Sequence, residues 1–590
     1  MKKKNYKFLI PITLILAVVA FACGKSFLNR PPLGTLNPQI LATDKGVQGL
    51  LIGAYSLLDG EGVAGDGELS AASNWVFGGV ASDDAYKGSD PSDFADIAAV
   101  EDWTITPSTG SFPSKWVAMY SAAQRCNDVL KIMRIATGIS DTTVIAAQAR
   151  FLRAFYHMEL QKVYGHIVFA DESVDPTHTD VVNTDDAGVT AKIIADLKFA
   201  VDNLPETMPD AGRVNKSAAK AFLGKYYLYQ KDYADAYTLF KDIIANGKTP
   251  GGASYALMPH YFSNFNPAQK NNPESVFAAQ TSVQDGSSVD WGGDPNGNYG
   301  DILNFPYTGG PGACCGFYNP SQDLANAYKT DATGLPLLDT WFNGNNVSDP
   351  TTPYVGNLDP RVDWAIGRKG IPYLDWGPHP GDSWVRNPGA DGHLSPKKDV
   401  YASSQKGGFT DQGSAYWAPT ELTANNVDLI RFADVLLMAA ECAVQAGDLP
   451  TAMQYVNQVR TRAANPTGWV YANSDYDAAS ATYIKQTTPA DTYKIANYTS
   501  FPDATYAMKA IKFERRLELS MEGHRFFDLV RWGDANTVLN AYYDRWRAIL
   551  PLKKNAHWTP NKNELFPIPQ GELDKLNSDG KIRLVQNKGY

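Results

Sequence analysis

Two stretches set the terms for what this chain can fold into. In LIRFADVLLMAAECAVQAGD, the residues Leu429, Phe432, Ala433, Leu436, Leu437, Ala440 and Val444 recur at i, i+3, i+4 and i+7, the spacing of one buried helix face. Gly447 closes that helix, and TAMQYVNQVRTRAA opens another. In KSAAKAFLGKYYLYQKDYADAYTLFKDIIANGK, Leu223, Gly224, Tyr227, Ala236, Phe240 and Ile243 fall at the offsets of a tetratricopeptide helix pair. The stretch from Ala433 fits the same frame with Ala440, Ala443, Ala452, Val456 and Val459. Small residues at these positions let antiparallel helices approach closely. Roughly two hundred residues separate the two units, which argues against a simple tandem array.

Further helices are expected from Gly46 to Leu58, Lys115 to Thr137, Thr142 to Val163, Val189 to Asn203 and Thr505 to Val530. The fold class is therefore mainly α, with tetratricopeptide-like helix pairs as scaffold and long irregular loops carrying the ligand site. Between about Gly247 and Asn425 the chain is dense in Gly, Pro, Asn and Asp, with Trp and Tyr interleaved. Long irregular connections in a compact protein are usually functional. The expected organisation is a signal peptide over 1–22, a helical region over 23–250, and a region over 251–590 that is loop-rich to 425 and helical from 426.

The leader MKKKNYKFLIPITLILAVVAFACGKS has a basic head and an apolar stretch too short, and interrupted by Pro11, for a comfortable membrane span. Cys23, directly after Ala-Phe-Ala, is similar to the lipidated cysteine of bacterial lipoproteins; the other reading is a secreted protein with an incidental cysteine. Acyl chains contribute about 0.8 kcal/mol per buried methylene, so two or three of them tether a protein stably. Loss of the leader, with its four lysines, takes the formal charge from -10 to -14. No basic patch stands out, which argues against a nucleic-acid partner.

Seven segments in order carry a family resemblance: FLNRPPLGTL, ASDDAYKG, ARFLRAFYHMELQKVYG, DPRVDW, LIRFADVLLMAAECAVQAGD, FERRLELSMEGHRFFDLVRWGD and LFPIPQGELDKLN with the closing LVQNKGY. The chain resembles the SusD/RagB family of outer-membrane nutrient-binding lipoproteins. The resemblance implies a helical platform, a glycan or oligosaccharide ligand, no catalysis, and delivery to a SusC-like TonB-dependent transporter. It also implies a lipid-anchored place at the outer membrane, facing the exterior. The residues after Cys23 read GKSFLN, without the acidic run that often follows the lipid in exported members, so the outward face rests on the resemblance alone.

A sugar ring offers an apolar face and a rim of hydroxyls, so exposed aromatic rings beside Asp, Asn, Lys or Arg are the parts sought. The candidates are Asp83, Asp84, Tyr86 and Lys87 in SDDAYKG, and Trp291, Phe317, Tyr318, Trp376 and Trp384 in the middle loops. Trp103, Trp116 and Trp532 are assigned to the core; Trp341 and Trp417 are assigned to neither. Cys314 and Cys315 form a strained, rigid vicinal disulfide that presents Phe317 and Tyr318, remain two unpaired thiols, or make contacts elsewhere. Cys126 and Cys442 read as buried free thiols in helices.

The chain lacks the usual nucleophile, zinc and phosphate-loop signatures, though a pair of carboxylates for glycoside hydrolysis would leave none. Glu514, Glu518, Glu522 and Asp528, interleaved with Arg515, Arg516, His524, Arg525 and Arg531, read as an ion-pair network that locks a helix to the scaffold. In DPRVDW, Asp359, Arg361 and Asp363 read as a turn pinned by an arginine fork. No cofactor is expected and no histidine pair has metal-ligand spacing; calcium on loop oxygens would leave no sequence trace. The alternative to a glycan receptor is a lipid-anchored adaptor that binds proteins on its helical surface.

Overall fold

The computed structural model describes residues 38–60, 67–174, 182–287, 295–412, 417–550 and 553–590; the leader, Cys23 and Trp291 lie outside them. A first run of helices comprises α1 (Asp44–Tyr55), α2 (Pro113–Met133), α3 (Thr142–Tyr164), α4 (Asp186–Asn203), α5 (Lys216–Tyr229) and α6 (Tyr233–Asn246). A second comprises α7 (Phe432–Gln445), α8 (Leu449–Ala463), α9 (Ala504–Glu518), α10 (Arg525–Trp532) and α11 (Ala535–Trp546). Capping fixes many of the starts. Thr43, Asp185, Asn215, Asp232, Asp448 and Asp503 each accept, through the side chain, the backbone N–H three residues on.

Each helix packs on its successor from α1 to α8, and this includes α6 on α7 although residues 247–431 intervene. The two helix pairs recognised in the sequence are thus consecutive layers of one stack, and the loop-rich region is an insertion between them. Strands β1 (Ser275–Ala279) and β2 (Val427–Arg431) pair antiparallel, from Ser275 opposite Arg431 to Ala279 opposite Val427, and clasp the base of that insertion. Helix α9 rests on α7 and α8. Among the described residues no helix is long and apolar enough to cross a membrane.

Close approach within the α5–α6 pair depends on Gly224, where a Cβ atom would sit 2.8 Å from Phe240 Cε1. Gly224→Ala is expected to cost about 1–3 kcal/mol in chemical denaturation, because the Phe240 ring must move within a packed layer. A change under about 0.5 kcal/mol would show slack between the two helices.

The expected helix from Thr505 to Val530 is instead two, α9 and α10, broken where Met521 and Gly523 take left-handed φ values of 60° and 69°. A backbone crossing forces the break. A Cβ on Gly78 would lie 1.7 Å from Gly523 O, and one on Gly523 would lie 1.9 Å from Ser73 O. Arg361 forks onto Asp359 at 3.0 and 2.7 Å, as the DPRVDW turn requires, and continues to Glu514 and Glu518. The acidic cluster is a buried network: Glu514 meets Arg361 and Arg460, Glu522 meets Arg431 and Lys398, and Asp528 meets Arg515 and Arg531. Trp103 and Trp116 are core, Trp532 is half-buried, and Cys126 and Cys442 are buried free thiols.

Candidate ligand-binding site

The segment 303–319 is the hub of the insertion. It closes on itself, with Gly316 N donating to Phe305 O at 3.0 Å and Phe317 N to Leu303 O at 3.2 Å. Its far side pairs with the early loop: Tyr86 N donates to Asn319 O, Tyr318 N to Lys87 O and Ser89 N to Gly316 O. Gly88, at φ 84°, has no room for a Cβ, which would lie 2.3 Å from Gly316 O.

The pairing corrects most of the expected contact residues, because they are the buried seam between the two loops. Asp83 is fully buried, taking Arg525 at 2.8 Å and Arg516 at 2.9 Å, and Asp84 takes Arg516 at 3.0 Å. Burial opposes ionisation of Asp83, but Arg516 and Arg525 outweigh it and hold its carboxyl below the usual range. Burial raises Asp84. Lys87 spends its ammonium on the carbonyls of Gly88, Asp90 and Asp93 at 2.7, 2.9 and 2.8 Å, with the Phe317 ring 4.9 Å away. Tyr86 lies in the core with its hydroxyl accepting Gln322 N. Tyr318 and Phe317 pack on Trp75, and Trp384 packs on Tyr373 and His379. None of these seven offers a face to solvent. The sequence located these residues in loops correctly; it does not encode that the loops bury them against each other.

What the hub leaves outside is a smaller set. Cys314 and Cys315 are joined by a disulfide across a cis peptide, with Ala313 exposed and Cys314 half-buried. Three aromatic rings are tied to this turn. Trp376, half-buried, donates its Nε1 to Tyr401 O at 2.9 Å, while Tyr401 OH accepts Gly312 N at 2.9 Å. Tyr307, half-buried, lies against Gly316 through its Cβ and under Arg386, whose Cζ is 5.2 Å from the ring. Trp417 is 59% exposed and adjoins Ala418, whose N–H donates to Glu421 Oε2 at 2.9 Å. Arg386 is held by Ser89 Oγ at 2.8 Å and Asp93 Oδ2 at 2.6 Å, and the Arg386 and Asp93 side chains remain partly open to solvent.

Behind the turn, Glu421 Oε1 lies 3.5 Å from Cys315 Sγ. Burial, with Ala418 N opposing and Asp411 adding to it, pushes the Glu421 carboxyl up to about 8, so a neutral acid backs the sulfur at pH 7. Cys314, Cys315 and Glu421 bring three potential ligand atoms within 4.8 Å of one another. The joined sulfurs carry no thiolate charge, so with the disulfide intact they are not a thiolate metal site. Among the described residues, Trp376 is the one expected contact on the open face. Trp417 joins it, while Tyr307 and Arg386, in NFPYTGG and DSWVRNPG, carry no sequence signal beyond being polar-edged residues in loops.

A disulfide-closed turn with aromatic rings and an Arg–Asp pair around it, on a stack of helix pairs, defines a helical-repeat protein with a loop-rich insertion. A family model described as SusD family matches residues 273–590, and a second, described as starch-binding associating with outer membrane, matches 65–228. The chain belongs to the SusD family. A SusD-like protein of Formosa agariphila is 23% identical over 98% of this chain and 99% of its own length. A solved laminarin binding SusD-like protein superposes with TM-score 0.65 at 22% identity, covering 93% of this chain and 100% of its own. Surface glycan-binding protein A from Bacteroides thetaiotaomicron, in complex with laminarihexaose, gives TM-score 0.59 at 21% identity over 92% of this chain and 99% of its own.

Proposed function

We propose that the chain is a non-catalytic, lipid-anchored glycan receptor at the outer membrane that delivers oligosaccharide to a SusC-like TonB-dependent transporter. The observation that carries the reading is a single disulfide-closed turn to which the exposed Trp417, the half-buried Tyr307 and Trp376, and the Arg386–Asp93 pair are each connected. Rings of this kind stack on the C–H faces of sugars, and the charged pair takes their hydroxyls. Relatives named for laminarin and laminarihexaose binding support the ligand class, and laminarin is the first polymer to test. Hydrolysis needs two carboxylates across a cleft. Here Asp93 is committed to Arg386 and Glu421 is buried behind Cys315.

Affinity electrophoresis in gels containing laminarin, starch or other polysaccharides tests the proposal. Retardation by at least one glucan is expected, with no reducing sugar released. Trp417→Ala and Arg386→Ala should each weaken binding about tenfold, or about 1.4 kcal/mol, without loss of folding. Retention unaffected by both changes would place the site elsewhere, and release of reducing ends would end the non-catalytic reading.

A further inference from the structure

A second cavity lies among the helices. It is walled by α3, α5, β2 and the turn before α10, has a volume of about 150 Å³, and shares no lining residue with the loop site. A cavity of that size, open on one side, takes a small molecule. One wall is apolar, formed by Phe155, Phe222, Met158 and Leu429.

The rest of the lining carries unspent bonding capacity of both charge signs. The Tyr229 hydroxyl and the His524 imidazole have no hydrogen-bond partner among the described residues. Lys225 makes one ion pair, to Asp434 Oδ2 at 3.2 Å, and Asp428 accepts one hydrogen bond, from Ser275 Oγ at 2.5 Å. All four side chains are half-buried and line the cavity, so their remaining bonding positions are open to a ligand there. Burial, aided by Lys225, brings His524 down to about 4, so it faces the cavity neutral, and burial pushes Asp428 up to about 7. Asp428 therefore sits where a cationic neighbour would draw off its proton.

We propose that this cavity binds a small zwitterion of the amino-acid class. Lys225 and Tyr229 take its carboxylate, Asp428 takes its ammonium, and Phe155 and Phe222 receive an apolar side chain. A neutral polyol would meet neither charge, and a simple anion or cation would meet only one of them. The assignment is independent of the glycan reading of the surface loops, since no residue is common to both.

Isothermal titration of the full-length protein in detergent, with free L-leucine as probe, tests it. Saturable binding is expected. 4-Methylpentanoate, which lacks the ammonium, and 3-methylbutylamine, which lacks the carboxylate, should each bind about tenfold more weakly or worse. Tyr229→Phe and Asp428→Asn preserve shape and should each weaken L-leucine about fivefold, while glucan retention in gels stays that of the parent. If one variant fails to fold, the other and the two half-molecules still decide. No heat from L-leucine up to about 10 mM would overturn the proposal, since a millimolar dissociation constant is already only about 4 kcal/mol of binding. Half-molecules or D-glucose binding as tightly as L-leucine would overturn it equally.

Discussion

Glu518→Gln is expected to lower the free energy of unfolding by about 3–5 kcal/mol. The carboxylate is fully buried and takes Arg361 at 2.9 Å, Arg431 at 2.5 Å and, closer still, Arg462. The three arginines come from different parts of the chain. Arg361 belongs to the insertion, Arg431 ends β2, and Arg462 lies in α8, so Glu518 ties the insertion to the stack at its root. Glutamine keeps the shape and removes the charge, leaving guanidiniums that are 1–4% exposed with one anion fewer. Glu274 and Glu514 cannot make up the loss, because each already holds two of these or neighbouring arginines. The pH dependence follows in sign. Burial opposes ionisation of Glu518, but Arg462, Arg431 and Arg361 outweigh it and hold the group below its unfolded value of about 4.3. Its contribution is therefore present in full above that value and is lost as pH falls through the lower, folded one. Denaturant titrations should show a constant gap between parent and variant from about pH 5.5 to 8 and a narrowing gap below about pH 4. A variant as stable as the parent at neutral pH, or a gap that widens in acid, would show that Glu518 does not carry this charge balance.

The same network explains what the sequence reveals and what it hides. Periodicity places α2 to α6 to within a few residues, because each of these helices has a continuous apolar face, and α4, α5 and α6 add a side-chain cap at their starts. The stacking of α6 on α7 has no local signature. It requires residues 247–431 to leave and return through the β1–β2 clasp, and only the folded chain shows that Ser275 and Arg431 stand opposite each other. The break between α9 and α10 is hidden for a related reason: its cause, the crossing of Gly78 over Gly523, joins positions far apart in the chain.

The site is legible in part for a different reason. Composition identifies 303–319 and 82–89 as loops with rings and charges, and their meeting is real. Burial depth is a property of the partner, however, and each loop is the other's partner. Phe317 and Tyr318 are therefore held in the core, while Trp417, Tyr307 and Arg386, no richer in signal, are left at the surface. A vicinal cysteine pair marks the turn because it is chemically rare, and the turn is where the outward-facing rings are fastened.

Asp83→Asn separates a residue that builds the site from one that touches ligand. Asp83 bonds Arg525 and Arg516, and its own carbonyl accepts Ser321 Oγ at 2.5 Å, so it fastens the early loop both to α9–α10 and to the segment after the hub. Asparagine leaves two buried guanidiniums facing a neutral amide, and a loss of about 3 kcal/mol is expected in denaturant unfolding. Asp84→Asn should cost distinctly less, because burial already raises the Asp84 carboxyl toward its neutral form and its one ion pair is to Arg516. At a temperature where both variants remain folded, glucan affinity should match the parent within about twofold, since neither carboxylate reaches solvent. The opposite result, affinity lost with stability intact, would put Asp83 in contact with sugar. That outcome would require the 82–89 loop to leave Gly316 and Asn319 on binding, and the backbone pairing of the two loops would then be a closed form of the site.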